Sequence, residues 1–311
     1  MKTIGLPRIL RTVLGFIAAA GMAAGVWAAD GKRLSVAVAG PDIESIVKTV
    51  GGTQVETFNL FRGCIIRPDL QVEPAVKGHL AKADAVVWTG FFPESGAINE
   101  AIQPRDSRHP DRKAPTLHWI DVSPGAVRTN VPISNCEGYV DPLLKAGDPF
   151  FWLNPENGAV IAKNVARGLS KLQPDKRAYF LANAEAFQRA LAVDIARWKE
   201  ALKPLHNLRV FSTQCGWQNF SVLGGPKFVV CKRKLGELPT PQILLDYVRQ
   251  MKADVVLVDP NTPPQYLELL REQTGFKVIE VASSIETIQG GSSYSHLFEN
   301  LLKALQTAVK L

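Results

Sequence analysis

Four cysteines and five histidines are the side chains of this sequence best suited to binding a transition metal. Thiolates bind soft ions such as copper(I) and zinc, whereas an even number of cysteines in an oxidising compartment favours disulfide bonds. The cysteines are Cys64, Cys136, Cys215 and Cys231, and three pairings are open to them. The histidines are His79, His109, His118, His206 and His296, and their wide spacing predicts ordinary surface or packed side chains.

Sequence signatures of catalysis are absent. The chain contains no Gly-x-Ser-x-Gly elbow, no Walker phosphate loop and no His-Glu-x-x-His zinc motif. Asp69 and Glu73 are two nearby carboxylates, but they fall in a predicted loop whose geometry the sequence leaves open. We therefore expect a binding protein and not an enzyme.

The N-terminus has the layout of a secretory signal peptide. Lys2, Arg8 and Arg11 precede an apolar stretch that ends in Val26-Trp27-Ala28, a small-residue cleavage site. The apolar stretch is shorter than the roughly 20 residues that a membrane-spanning helix needs. No cysteine lies near the cleavage site for a lipid anchor. We expect residues 1–28 to be a cleaved signal peptide and the mature chain to be periplasmic.

The charge of the mature chain is only mildly positive. The whole sequence carries a formal charge of +7, and the leader holds three of its basic residues and none of its acidic ones, which leaves about +4. The basic residues form short scattered clusters and no long arm. This pattern does not suggest a nucleic-acid partner.

Strand and helix signals alternate along most of the mature chain, which predicts parallel sheets with helices on both faces. Predicted strands are 34–39, 54–58, 84–88, 116–122, 209–212, 227–231, 254–258 and 277–281. Predicted helices are 41–47, 75–83, 154–172, 176–202, 240–251, 264–273 and 294–309. The helix over 176–202 has an apolar stripe and a length of roughly 40 Å, enough to span two lobes.

These elements predict two Rossmann-like α/β lobes joined by one long connecting helix. The predicted boundaries are a signal peptide at 1–28, an N-terminal lobe at 29–172, a linker helix at 173–203 and a C-terminal lobe at 204–311. In open α/β sheets, ligands bind beyond the carboxyl ends of the strands. Two such lobes predict a ligand cleft between them.

Three segments resemble the periplasmic zinc- and manganese-receptor family of ABC importers. Val72-Glu73-Pro74 with 80–90 is similar to the family's first-lobe signature. Residues 148–157, Asp-Pro-Phe-Phe-Trp-Leu-Asn-Pro-Glu-Asn, are similar to its Asp-Pro-His-x-Trp-Leu-Asp-Pro-Glu-Asn motif. Residues 236–241 resemble the loop that opens a late helix. The resemblance implies the two-lobed fold, a receptor that acts as a monomer, and an ABC permease in the inner membrane as partner.

The family's usual metal ligands, three histidines and often an acidic residue, are replaced in this chain. No histidine occurs at 67–71, Phe150 and Gln214 stand at the second and third positions, and the late acidic ligand maps near Ser283. Phenylalanine cannot coordinate a cation, and glutamine offers one neutral oxygen. A conventional zinc site is therefore not expected, although zinc or another transition metal remains open as cargo.

Three interpretations of the altered cleft stay open. A metal could be held by other groups, namely Asp69, Gln214, Cys64 and Cys215, unless the cysteines form disulfides such as Cys64–Cys136 and Cys215–Cys231. An organic ligand or a metal chelate could be held by Arg67, Asp69, Phe150, Phe151, Gln214, Trp217 and Gln218. The third interpretation is an accessory protein that binds no small solute and uses the same fold.

Overall fold

A computed structural model of the chain describes residues 32–61, 70–102, 117–129, 147–213, 216–230, 240–273, 275–288 and 293–310. They form two four-stranded parallel sheets with helices packed against them. The predicted fold of two parallel α/β lobes with a long helix is confirmed. No helix in these ranges has the length and apolar character needed to cross a membrane.

The N-terminal lobe is built on a sheet with the strand order β2-β1-β3-β4. Its strands are β1 (Leu34–Val38), β2 (Val55–Asn59), β3 (Ala85–Trp88) and β4 (His118–Asp121). β1 lies in the middle and pairs with both β2 and β3. Side chains on both faces of β1 are buried, as expected for a parallel strand covered by helices on each side.

The C-terminal lobe repeats this arrangement with the strand order β6-β5-β7-β8. Its strands are β5 (Arg209–Ser212), β6 (Lys227–Val230), β7 (Val255–Val258) and β8 (Lys277–Glu280). The same hydrogen bond fixes the central pair in each lobe. Asp84 accepts from the Ser35 N–H at 2.8 Å in the first sheet, and Asp254 accepts from the Arg209 N–H at 2.8 Å in the second.

Eight helices lie within the described ranges: α1 (Pro41–Gly51), α2 (Lys77–Leu80), α3 (Phe92–Ile102), α4 (Pro155–Leu172), α5 (Arg177–Leu202), α6 (Pro241–Gln250), α7 (Pro264–Arg271) and α8 (Tyr294–Lys310). Several begin with a proline in the first turn, where the missing N–H has no partner to lose. The Asn154 side chain caps α4 by accepting from the Glu156 N–H at 2.9 Å.

Sequence reasoning overestimated the length of one helix and missed another. The helix expected over 75–83 is only the one-turn α2, preceded by a 3-10 turn at Pro74–Val76, because Gly78 weakens an already short segment. α3 was not expected at all. Pro93 and Gly96 interrupt its apolar pattern, although a proline is tolerated in a first turn.

The long helix α5 forms a spine with α4 and α8. Its buried residues, Phe180, Ala184, Leu191, Trp198 and Leu202, follow helical spacing along one face. Leu191 packs near Gly158 of α4, and Trp198 contacts Phe298 of α8 at 5.2 Å between ring centroids. One continuous apolar core therefore includes residues from both lobes and from the connecting helix.

Candidate functional site

Loops from the carboxyl ends of both sheets meet at the boundary between the lobes. From the N-terminal lobe come the start of α1, which follows β1, and the segments 127–129 and 148–154, which follow β4. From the C-terminal lobe come 216–219 after β5 and 283–286 after β8. This is the region where open α/β sheets bind ligands, so the cleft expected from the sequence would lie here.

Phe150 lies at this boundary and packs against the backbone of the opposite lobe. Its side chain is 8% exposed, and its ring centroid is 5.5 Å from that of Trp152. A Cβ placed on Gly216 would lie 2.7 Å from the Phe150 Cβ. Gly216 also has φ +109°, a conformation that other residues rarely adopt. The position at which the family resemblance places a second ligand thus holds an aromatic ring packed against a glycine.

Asp148 and Gln218 form the first polar connection between the lobes. Asp148 accepts from the Phe150 N–H at 2.9 Å through Oδ1 and from the Gln218 side-chain amide through Oδ2. The Gln218 carbonyl oxygen accepts from the Gly216 N–H at 3.0 Å. Both side chains are buried, so this amide is engaged with protein groups at its oxygen and its nitrogen.

Asn219 forms a second connection beside the first. Its Nδ2 donates to the Phe150 carbonyl at 3.1 Å and to the Gly216 carbonyl at 3.0 Å, while its Oδ1 accepts from the Thr129 hydroxyl. Asn219 is fully buried. A single amide from the C-terminal lobe therefore holds two segments of the N-terminal lobe.

Asp42, in the first turn of α1, forms a third connection. Its Oδ1 accepts from the Ile285 N–H at 2.9 Å and from the Ser284 hydroxyl at 3.1 Å, and its Oδ2 accepts from Trp152 Nε1 at 3.1 Å. Burial raises the pKa of Asp42 from 3.8 to about 6, although these hydrogen bonds act in the opposite direction. This carboxyl thus links α1 to both neighbouring segments.

Phe151 packs against the guanidinium group of Arg128, which also contacts Thr89 just after β3. Its ring is fully buried, and the Arg128 guanidinium carbon lies 5.1 Å from the ring centroid. Arg128 also donates to the Thr89 carbonyl at 3.3 Å. Glu94 accepts from the Thr89 N–H and hydroxyl, and burial raises its pKa to about 8. A pKa of about 8 favours the protonated form of Glu94 at pH 7.

The remaining predicted positions are scattered or lie outside the described residues. Ser283 donates to Asp259 at 3.2 Å in the C-terminal lobe. Trp217 is fully buried, and its indole N–H has no hydrogen-bond partner. The predicted site residues Cys64, Arg67, Asp69, Cys136, Gln214, Cys215 and Cys231 all lie outside the described ranges, as does His109. Neither disulfide pairing nor thiolate binding is therefore tested.

The described part of the chain does not fit a conventional metal centre. No group of three or more His, Cys, Asp or Glu side chains within it could hold a metal ion. His79 packs beside Phe58, and His206 lies near the Lys203 carbonyl. Phe150 offers no donor atom at the position where the family resemblance places an imidazole.

Four residues at the boundary were missed by sequence reasoning: Asp42, Asp148, Arg128 and Asn219. Asp42 carried a usable signal, since it directly follows a strand and a Gly-Pro pair. Asp148 was noted only as part of a motif. Arg128 and Asn219 gave no signal, because their roles depend on contacts with segments about 40 and 70–90 residues away in sequence.

Comparisons with known proteins agree with this architecture. A family model described as zinc-uptake complex component A, periplasmic (ZnuA), matches residues 36–308. The manganese ABC transporter substrate-binding lipoprotein PsaA of Streptococcus pneumoniae TIGR4 is 22% identical over 293 residues, which cover 90% of this chain and 91% of PsaA. A metal ABC transporter substrate-binding lipoprotein of Lactococcus lactis is 21% identical over 280 residues, covering 85% and 84% of the two chains.

Solved structures show the same fold. A crystal structure of ZnuA superposes with a TM-score of 0.68 at 19% identity and covers 89% of this chain and 99% of that one. The solute-binding protein FpvC of Pseudomonas aeruginosa, solved with Ni²⁺, gives 0.66 at 18% identity, with 89% and 98% covered. At these identities the structures support the fold alone.

Proposed function

Because the chain belongs to the family of periplasmic components of zinc-uptake complexes, the ZnuA family, we propose that it is the exported solute receptor of an ABC importer. The observation that carries this proposal is the family match over 36–308 together with two lobes whose strand ends meet at one boundary. In this proposal residues 1–28 are removed on export, and the mature monomer delivers its solute to a permease in the inner membrane. No catalytic step is involved.

We propose that the ligand site differs from the family's metal site. The supporting observation is Phe150, which is buried against Gly216 where a metal ligand is expected. Any metal would need donors from Cys64, Asp69, Gln214 or Cys215. An organic ligand or metal chelate would not require a donor atom at position 150, since an aromatic wall suits such a ligand.

A second candidate is an accessory protein that uses the receptor fold without a small solute. The observation that favours it is the closed lobe boundary. The Asp148–Gln218 and Thr129–Asn219 hydrogen bonds and the Phe150 contact join the lobes directly through protein groups. In this case the partner would be another exported protein and not a permease.

The two candidates are separated by capturing the full-length, C-terminally tagged chain from its own host after brief cross-linking. The receptor proposal expects an importer permease among the captured proteins and loss of solute uptake when the gene is deleted. Capture of other exported proteins without a permease, with uptake unchanged by deletion, would establish the accessory role and overturn the receptor proposal.

The cargo is tested separately by metal analysis of protein purified from the exported fraction. A bound ion, or a rise in melting temperature with zinc or manganese, would support metal cargo. Phe150→Leu is the matched control, since it keeps the position apolar and without a donor. We expect it to leave any metal-induced shift unchanged, and an altered shift would contradict the view that position 150 takes no part in coordination.

A further inference from the structure

Three basic side chains form an exposed row along α4, which we call the basic stripe. Lys163, Arg167 and Lys171 follow one another at intervals of four residues, so they lie on one side of the helix, about 6 Å apart. All three are exposed, whereas the opposite side of α4 is buried against the core. The outer side of this helix therefore carries a line of positive charge about 12 Å long.

The basic stripe has no ionic partner within the described part of the chain. The neighbouring helix α5 shows the opposite arrangement, in which basic side chains are paired. Its Arg197 contacts Asp194 and Glu299. Its Lys199 contacts Glu156, which is the one acidic residue of α4. The single negative charge of α4 is thus used by α5, and the positive charges of the stripe are left uncompensated.

The stability of α4 does not account for the basic stripe. Like charges four residues apart on a helix repel each other and weaken it slightly. The helix dipole stabilises a basic residue in the last turn, which accounts for Lys171. This effect falls off within one turn, so it does not account for Lys163 or Arg167. An anionic partner outside the chain would remove the repulsion among the three.

The composition of α4 favours a membrane surface over a protein as that partner. The centres of protein interfaces are enriched in aromatic residues and depleted in lysine. α4 exposes no large hydrophobic side chain, and two members of the stripe are lysines. Its apolar face, which includes Ile161, Val165 and Leu169, is buried in the protein and cannot insert into lipid. Long basic side chains without an apolar anchor suit a diffuse layer of anionic headgroups.

We propose that the basic stripe of α4 holds the protein on the surface of a bilayer by binding anionic phospholipid headgroups. The attachment is reversible and sensitive to salt, because it rests on charge alone. Lys163 lies eight residues beyond Pro155, where α4 begins, which places the stripe about 12 Å along the helix from the lobe boundary. Binding through the stripe therefore leaves that boundary uncovered. The inference goes beyond the proposed receptor function and depends on neither the solute nor the permease.

The test is flotation of residues 29–311 with lipid vesicles at about 0.1 M salt. The compact unit begins at Arg33, and an apolar leader would itself bind lipid, so residues 1–28 are left out. One set of vesicles holds phosphatidylglycerol and phosphatidylcholine in equal parts, and the other holds phosphatidylcholine alone. We expect association with the anionic vesicles only, and release as the salt is raised to about 0.5 M.

The stripe variant carries Lys163→Gln, Arg167→Gln and Lys171→Gln. A basic residue near an anionic surface contributes about a factor of five to the affinity, so the three changes together should weaken association about 100-fold. A second variant with Lys163→Arg, Arg167→Lys and Lys171→Arg keeps the charge and should bind like the wild type. All variants should fold normally, because the substituted side chains are exposed and unpaired.

A matched control separates the stripe from the net positive charge of the protein. It removes the same charge through three exposed lysines outside α4: Lys82→Gln, Lys252→Gln and Lys303→Gln. This control should change association by less than about threefold, since salt screens charges that lie away from the contact. Equal losses in the control and in the stripe variant would show a general effect of net charge and overturn the proposal.

Three other results would also overturn it. The first is no association with the anionic vesicles, and the second is full association of the stripe variant. The third is binding to soluble polyglutamate as tight as to vesicles of the same negative charge, which would assign the stripe to an acidic protein. If the stripe variant does not fold by circular dichroism, unchanged association of Arg167→Gln overturns the proposal instead.

No permease or solute enters this measurement. Failure of the membrane proposal therefore leaves the receptor proposal standing, and failure of the receptor proposal leaves the membrane proposal standing.

Discussion

Phe150 and Gly216 meet across the lobe boundary so closely that a single added carbon would not fit. The Cβ of an alanine at 216 would lie 2.7 Å from the Phe150 Cβ and 2.6 Å from Leu153 Cδ1. The aromatic side chain at 150 and the absence of a side chain at 216 therefore form one structural unit. This unit occupies the place where related receptors are expected to carry a metal ligand.

Gly216→Ala should destabilise the protein by about 3 kcal/mol, from overpacking and from the positive φ at this position. Gly224→Ala is the matched control. Gly224 has φ +82° and ψ −171°, a conformation nearly restricted to glycine, but no atom lies within 4 Å of an added Cβ, so the cost should be the backbone strain alone, about 1–2 kcal/mol. Urea denaturation gives both values, and equal losses would show that the contact with Phe150 is not tight.

Asn219→Ala should weaken the lobe boundary, because it removes the amide that serves Phe150, Gly216 and Thr129. The Phe150 and Gly216 carbonyls keep backbone donors, the N–H groups of Leu153 and Asn219, so losing the side-chain hydrogen bonds should cost about 1–2 kcal/mol. The expected readout is a lower unfolding free energy together with faster amide exchange in 148–154. Unchanged exchange in that segment would mean that Asn219 does not hold the two lobes together.

Tyr294→Phe should lower the unfolding free energy by about 1–2 kcal/mol, since the Trp152 and Asn154 carbonyls lose a buried donor. Tyr179→Phe is a suitable comparison, because its hydroxyl contact with Thr53 is long and exposed. That change should stay within about 0.5 kcal/mol. Similar losses for the two variants would argue against a structural role for the Tyr294 hydroxyl.

Glu94 should make the protein less stable as pH rises. Burial raises its pKa from 4.5 to about 8, so the folded state keeps a proton that the unfolded state releases. The contribution is fully present below about pH 4.5 and is lost as pH rises through about 8, on the order of 5 kcal/mol in all. Comparing unfolding free energies of the wild type and Glu94→Gln at about pH 5 and about pH 8 measures it.

The Glu94→Gln variant should lack this component of the pH dependence, because an amide does not titrate in this range. A wild type and variant whose stabilities fall in parallel between the two pH values would show that Glu94 is ionised in the folded protein. Thr89 provides the structural check. Its N–H and hydroxyl donate to Glu94, and the N–H should remain protected from exchange in both proteins at the lower pH.

The regular elements were predictable because local patterns determine them. Pro155 and the capping Asn154 marked the start of α4, and the stripe from Phe180 to Trp198 marked α5. Motif resemblance singled out Phe150, and the expected cleft included Gln218; both lie at the lobe boundary, and their part in ligand binding stays a prediction. Asp42 and Asn219 act through partners far away in sequence, and no local pattern encodes such a pairing.

The pair of aspartates that precede β3 and β7 limits how far the structural effect of one substitution can extend. Asp84 and Asp254 each end a Lys-Ala-Asp triplet, and each holds the start of the central strand in its own sheet. The strands of each sheet are therefore aligned by that sheet's own aspartate, independently of the other sheet. A substitution at one aspartate would misalign the strands of its own sheet. The equivalent aspartate would keep its hydrogen bond in the other sheet, so the other lobe would retain its strand register.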